Sequence, residues 1–411
     1  MDVVNEPEIA IFGTIGSLIE EWRILMSLDN KSDDTRRRRT VRTFAAASFL
    51  NDVGADMIYS VWPLFVTTAL GANMAALGFI DGLGDTIVSI SQAVSGYLSD
   101  RLRKRKIFIV IGYLCGSLSR VGYAVSTVWQ HLIPMRVLDR AGKIRSAPRD
   151  AIVADLSSRE NRGSNFGLLR AADNLGATCG ILLSIVLLTT LGYRTLFLLA
   201  AIPSTIAAVL VAFRVSETAR PAGMTTKGLS LRDLSKDYRL FLFLSAIFAL
   251  GSFSYSFLLI NAYDKGFSKG TVPVLYLVFT VAAFVSSIPF GRLSDRLGRK
   301  RVLLLAFILW AISCAGFAIY RDSVVIIGMF IIYGLHRGAF DTVQKAFVSE
   351  LAPEDYRASA LGLHQMVTGL CALPASLVAG LLWDEIGTSA PFIVSFGLTM
   401  VSTLLLFFVR E

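Results

Sequence analysis

Charged side chains buried in long apolar runs are the places where this chain could do chemistry, and they cluster. One stretch carries Arg136, Asp139, Arg140, Lys143, Arg145, Arg149, Asp150 and Asp155, with Pro148 placed to bend a helix. Arg136, Arg140 and Lys143 stand at i, i+4 and i+7, which is one helical face. Carboxylates recur in the same half: Asp52 with Asp56 and Asp81 with Asp85, each pair at i, i+4, and Asp173 close to Arg170. Further on come His336, Arg337, Asp341 and Lys345, then His364 and Gln365. A charge at mid-bilayer costs about 2.5–3.5 kcal/mol on insertion scales, so these groups must be paired or face a cavity. One reading is a set of intramembrane salt bridges that lets polar helices insert and pack. The other takes one or more carboxylates as a proton or cation site and the basic face as a gate or anion handle. A carboxylate held in apolar surroundings accepts a proton more readily than in water, which suits it to loading and unloading near neutral pH. A lone histidine at a helix interface more often packs and hydrogen-bonds than couples ions.

Other chemistries lack their residues. No phosphate-binding glycine loop, hydrolase triad or haem ligand pair occurs, so an enzyme, ATP-driven transport or a bound cofactor has no support. Cys115, Cys179, Cys314 and Cys371 fall in apolar runs without metal spacing, which argues against disulfides and zinc. Asp52, Asp56, Asp81 and Asp85 are hard oxygen ligands of the kind that suit divalent or ferric ions, so metal transport stays open.

The elements that would position these groups follow from composition. The chain is 54% hydrophobic and 17% charged, with a mean hydropathy of +0.59, which places it in a bilayer. Apolar stretches long enough to cross a hydrocarbon core of about 30 Å recur roughly at 43–69, 74–98, 107–127, 132–155, 165–190, 194–214, 240–262, 271–293, 301–320, 323–349, 359–383 and 389–409. Alternate connections hold Arg36 to Arg39, Arg101 to Lys106, Arg159, Arg162, Arg214 to Arg239, Arg296 and Arg299 to Arg301. The others hold only Arg194, Lys265, Lys269 and Arg321. That asymmetry predicts cytoplasmic termini, and it accounts for most of the net charge of +9, with anionic lipids as counter-charge and no nucleic acid as partner. The stretch 9–24 is interrupted by Glu20, Glu21 and Arg23 and reads as an interfacial helix or tail, not as a signal peptide.

The same phrase occurs twice, about 195 residues apart: Gly96-Tyr97-Leu98-Ser99-Asp100-Arg101-Leu102 and Gly291-Arg292-Leu293-Ser294-Asp295-Arg296-Leu297, each followed by basic residues. At the same offset Ala151, Val153, Leu156, Arg162, Gly167 and Leu168 align with Ala346, Val348, Leu351, Arg357, Gly362 and Leu363, and Asp155 with Glu350. Such a repeat implies two homologous halves. The twin phrase, between the second and third and the eighth and ninth spans, resembles the signature loop of the major facilitator superfamily; Arg136 through Gly142 resembles its fourth-helix pattern. The likeness extends over 41–410, although Arg103 replaces the glycine that Gly298 retains, and the fifth span, with Gly176-x-x-x-Gly180, lacks the Gly-Pro pattern common in superfamily antiporters.

The resemblance implies an all-α integral membrane protein with about twelve transmembrane helices in two six-helix bundles. The expected divisions are an N-terminal tail over 1–40, bundles over 41–214 and 239–411, and a linker over 215–238 carrying a short surface helix near 231–238. It further implies a monomeric secondary transporter of the bacterial inner membrane, moving a small solute by alternating access with a proton or other ion. Gly96, Asp100, Arg101, Gly291, Asp295 and Arg296 would form a gate. Candidate coupling or substrate residues are Asp52, Asp56, Asp81, Asp85, Arg136, Asp139, Arg140, Lys143, Arg149, Asp150, Asp173, Arg337 and Asp341. Transport of iron, another metal or a chelate is the alternative, and a non-transporting membrane sensor or assembly scaffold is a reading of another class.

Overall fold

A computed structural model describes residues 37–102, 104–158, 161–217, 234–352 and 357–410; the side chains of Gly96, Tyr97, Asp100, Arg357 and Ala358 are outside that description. The expected interfacial segment at 9–24, Arg103, Arg159 and most of the linker therefore lie outside the described residues. What is described is helical, with no strand among the described residues.

Twelve helical crossings account for the described residues. Helix α1 spans 37–59 and continues through a short turn, Trp62–Leu64, into a π-helical turn, Phe65–Ala69. Then come α2 (Met74–Leu102) and α3 (Lys106–Val125). The fourth crossing, α4, is broken: Leu132–Ala141 and Ser146–Leu156 are joined by a 3-10 turn, Gly142–Arg145. The continuous stretch Arg162–Arg214 is a hairpin of α5 (162–191) and α6 (193–214), folded at Gly192, whose φ of 70° suits a residue without a Cβ. Helix α7 is also broken, into Lys236–Gly251 and Ser256–Asp264. The remainder are α8 (Val272–Leu297), α9 (Arg299–Ile319), α10 (Ser323–Leu351), α11 (Arg357–Glu385) and α12 (Ala390–Phe407). Among the described residues nine stretches are long and apolar enough to cross a membrane; the hairpin counts as one of them, and the charged α4 is not among them.

Local signals set the boundaries. Ser235 accepts the Tyr238 N–H at the start of α7, and Asp322 accepts those of Val324 and Val325 at the start of α10. Pro273 and Pro391 sit in the first turns of α8 and α12, where no N–H is needed. The duplication survives as register: α2 and α8 end at Leu102 and Leu297, α4 and α10 at Leu156 and Leu351, while α5 and α11 begin at Arg162 and Arg357. The bend expected at Pro148 lies upstream, in the Gly142–Arg145 turn. Proline cannot donate to the carbonyl four residues back, and Gly142 is pressed on the Gly112 carbonyl of α3.

The halves meet along α2 and α11, and along α8 and the α5–α6 hairpin. On α2, a Cβ at Gly78 or Gly82 would collide with the Ser376 or Ala372 carbonyl of α11. Within the first half, Gly176 and Gly180 similarly let α5 lie against the Phe49 and Val53 carbonyls of α1, as two small residues four apart on one helix permit. Large apolar side chains such as Leu118, Val186, Phe213, Ile288 and Leu404 point outward, as a lipid-facing surface requires.

Candidate functional site

Two polar regions occupy the space between the halves: a sealed layer near mid-membrane and an open chamber on the side that bears the chain ends. The sealed layer is built around Asp81 on α2. Its Oδ1 accepts the Arg136 guanidinium of α4 at 2.8 Å and the Trp62 indole at 2.8 Å. Its Oδ2 accepts the hydroxyls of Ser254 at 2.7 Å, from the break in α7, and of Ser256 at 2.5 Å, the first residue after it. Asp81 and Arg136 are each 1% exposed, so the pair is dry. The α7 break is what makes this possible, because an unbroken helix would not turn two nearby hydroxyls onto one carboxylate oxygen.

Around that centre lie the remaining charges of the upper half of α4. Asp139 accepts the Tyr59 hydroxyl at 3.0 Å and stands 3.9 Å from Arg136 and 3.7 Å from Arg140. Arg136 sits over the Trp62 ring at 4.5 Å and Arg140 over Tyr59 at 4.7 Å, which spreads cationic charge onto aromatic faces. Arg136 keeps Nε and Nη1, and Arg140 keeps Nε, without a hydrogen bond. Two tyrosines of the second half close the layer: Tyr255 donates to the Tyr59 carbonyl at 3.1 Å and Tyr276 to Asp56 at 3.0 Å.

On the side away from the chain ends, the halves are fastened by Asp384 of α11. It accepts the Met74 N–H at 3.1 Å and the Ala75 N–H at 2.8 Å, capping the start of α2 from the opposite half. Lower down, Thr86 donates to the Gly369 carbonyl at 2.8 Å, and Gln365 to Gln92 at 2.7 Å.

The open chamber holds about 700 Å³. Asn51 and Asp52 of α1, Gln92 of α2, the lower half of α4, Asp173 of α5, Lys345 of α10 and Gln365 of α11 wall it. The break in α4 thus divides the expected basic face: Arg136 and Arg140 enter the sealed layer, whereas Lys143 enters the chamber. Arg149 bonds Asp150 at 2.9 Å and Ser48 at 2.6 Å, and lies 3.7 Å from Asp173. Asp52 accepts the Asn51 amide at 2.9 Å. A smaller adjoining pocket brings Asp85 of α2 beside Arg337 of α10, which is bonded to Asp341 at 2.9 Å.

The four aspartates of α1 and α2 do not converge. Asp81 is committed to Arg136 and Asp56 to Tyr276, and among the described residues no group of three or more His, Cys, Asp or Glu could hold a metal ion. His336 is buried, with Nδ1 2.8 Å from the Ala306 carbonyl and aromatic rings around it. Residues of the twin phrase lie away from both regions. Arg101 and Arg296 are exposed, and Asp295 meets Arg299 at 3.3 Å; the side chain of Asp100 is outside the described set, and Gly96 and Gly291 lie in α2 and α8. The repeat does place a paired carboxylate in each half, Asp155 with Arg105 at 2.6 Å and Glu350 with Arg299 at 2.9 Å, the two arginines standing one position out of register. Sequence reasoning missed Tyr59, Trp62, Ser254, Ser256, Tyr276 and Asp384. Only the odd serine-rich run Ser252-Phe253-Ser254-Tyr255-Ser256 in an apolar span offered a signal.

Known proteins share this architecture. The family model of the Major Facilitator Superfamily matches residues 44–276 and 240–411. An uncharacterised MFS-type transporter of Methanocaldococcus jannaschii is 36% identical over 389 residues, 92% of this chain and 97% of that one. Multidrug resistance protein 2 of Bacillus subtilis is 24% identical, covering 86% and 92%. Among solved structures, the nucleoside transporter NupG superposes with a TM-score of 0.70 at 15% identity, over 90% of this chain and 97% of that one.

Proposed function

The chain belongs to the major facilitator superfamily and is a transporter, and from that premise we propose that it moves a small solute by alternating access, coupled to a proton or another ion. One observation carries the reading: the contacts that close the chamber on its far side join one half to the other. Asp81 with Ser254 and Ser256, Asp56 with Tyr276, and the start of α2 with Asp384 are all of this kind. They are hydrogen bonds, which can break when the halves rock, set among buried apolar side chains of both halves such as Leu77, Ile80, Phe257 and Leu258. The Lys and Arg bias of the connections supports cytoplasmic termini in an inner membrane, so the chamber opens to the cytoplasm in this conformer. Relatives named as multidrug resistance or efflux proteins support a small organic solute.

Asp81 is the natural coupling group. Its charge holds Arg136 from its own half and two hydroxyls from the other, so a change of charge there alters the contact between halves directly. Asp56, bonded to Tyr276 across the same junction, is the second candidate. Arg101, Asp295, Arg296 and their neighbours would act as a latch at the cytoplasmic rim, engaged in the opposite conformer. Reconstituted protein is expected to drive uphill solute flux on an imposed proton or ion gradient. Asp81→Asn or Asp56→Asn should abolish the uphill component, and unaltered flux with unaltered pH dependence in both variants would reject the coupling assignment.

A further inference from the structure

We infer that the open chamber takes a solute carrying a carboxylate or phosphate, held by cations from both halves; this rests on the transport reading and deepens it. The chamber lining contains Lys143, Arg145, Arg149, Arg170 and Lys345 against Asp52, Asp150 and Asp173. The pairing is more lopsided than the count. Asp150 and Asp173 both answer Arg149, at 2.9 and 3.7 Å. Arg145 lies 5.0 Å over the Tyr113 ring and donates to the Gly142 carbonyl. Lys143, Arg170 and Lys345 have no carboxylate within ion-pair distance among the described residues.

Three unanswered cations in a chamber with low-dielectric walls raise the local concentration of anions and repel cations. They also sit on opposing walls. Lys143 belongs to the α4 break and Arg170 to α5, whereas Lys345 belongs to α10 of the second half. A bound anion would therefore be attracted to both halves at once and would favour their closing around it. The rest of the lining suits a small polar body: Ser48, Ser89, Ser146 and the Gln92–Gln365 amide pair supply donors and acceptors. A lipophilic cation, by contrast, would find Asp52 and Asp173 outnumbered by the five cationic side chains of the lining.

The test uses the full purified chain in detergent, with thermal unfolding followed in the presence of citrate, benzoate and inorganic phosphate, and of tetraphenylphosphonium and ethidium as opposing probes. At least one anion is expected to raise Tm saturably. Lys143→Gln and Lys345→Gln should each weaken its apparent affinity tenfold or more, whereas Lys269→Gln, exposed on the far side, should leave it unchanged. Stabilisation by the cations alone, by none of the anions, or by an anion whose affinity survives the Lys143→Gln/Lys345→Gln double variant overturns the inference. Lys345 is exposed to the chamber, so its variant retains the fold. Reconstituted flux separates the two levels: cation flux without anion binding defeats this inference only, and anion binding without any flux defeats the transport reading only.

Discussion

Asp81 and Ser256 lie 175 positions apart and meet at 2.5 Å across the junction between the two halves. The serine hydroxyl donates to a buried carboxylate that is already the partner of Arg136, so the junction is fastened at a point where charge is concentrated. A hydrogen bond to a charged group contributes roughly 1.5–3 kcal/mol. Ser256→Ala should therefore shift the population away from the conformer described here by ten- to a hundredfold. Alkylation of a cysteine introduced at Ala75, on the sealed side, should accelerate accordingly; an unchanged rate would show that the bond does not hold the conformers apart.

Removing Asp81 from its dry pair leaves the buried Arg136 with Asp139 alone, at 3.9 Å, and breaking a buried pair in this way costs about 3–5 kcal/mol. Asp81→Leu should lower the thermal midpoint sharply. The double variant Asp81→Leu/Arg136→Met should recover the ion-pair part of the loss, though not the part due to the Trp62, Ser254 and Ser256 donors left without an acceptor, and should remain inactive in transport. Equal destabilisation in the single and double variants would show that the ion pair is not what makes Asp81 costly to replace.

Asp384 caps α2 from the opposite half, and an N-cap carboxylate is worth about 0.5–2 kcal/mol. Asp384→Ala should raise the accessibility of the sealed side by severalfold without lowering the yield of folded protein. Substitution by Asn, which keeps an acceptor, should restore much of the closed population.

Two glycine contacts predict opposite phenotypes. Gly180→Val drives a side chain into the α1 backbone within one half, so that half should fail to assemble and expression should collapse. Gly78→Val makes the same collision with α11 across the junction, where the halves can separate. That variant should fold and accumulate in a conformer open on the other side, measurable as protection of a cysteine placed at Gln92 in the chamber.

Fold and site were legible to different depths. Apolar runs of spanning length reveal the helices, and the repeated phrase reveals the halves, because helix ends such as Leu102 and Leu297 keep their spacing. Charges on apolar spans reveal Asp81, Arg136 and Arg140, since only a paired or cavity-facing charge is tolerated there. Their partners are another matter. Ser254, Ser256 and Tyr276 are uncharged, carry no period of their own and lie far along the chain, so nothing local links them to Asp81 or Asp56. The break in α4 was similarly hidden. Pro148 announces a bend, but the turn falls at Gly142–Arg145 because α3 presses on Gly142 from outside the segment.

That break has a consequence for how an ion crosses. From Arg136 to Arg149 one helix carries five cations over thirteen steps, a rise of roughly 20 Å, about two-thirds of the hydrocarbon thickness. The first two are in the dry layer and the last three in the wet chamber. As the halves rock and the water boundary travels past them, a negatively charged passenger would always have a fixed positive neighbour within a turn or two. Because Asp81 and Asp139 answer the first two and Asp150 and Asp173 the last, the self-energy of an anion would be lowered most at Lys143 and Arg145, where the water boundary meets the dry layer, so that the break in the helix is the point at which the sign of the passenger is selected.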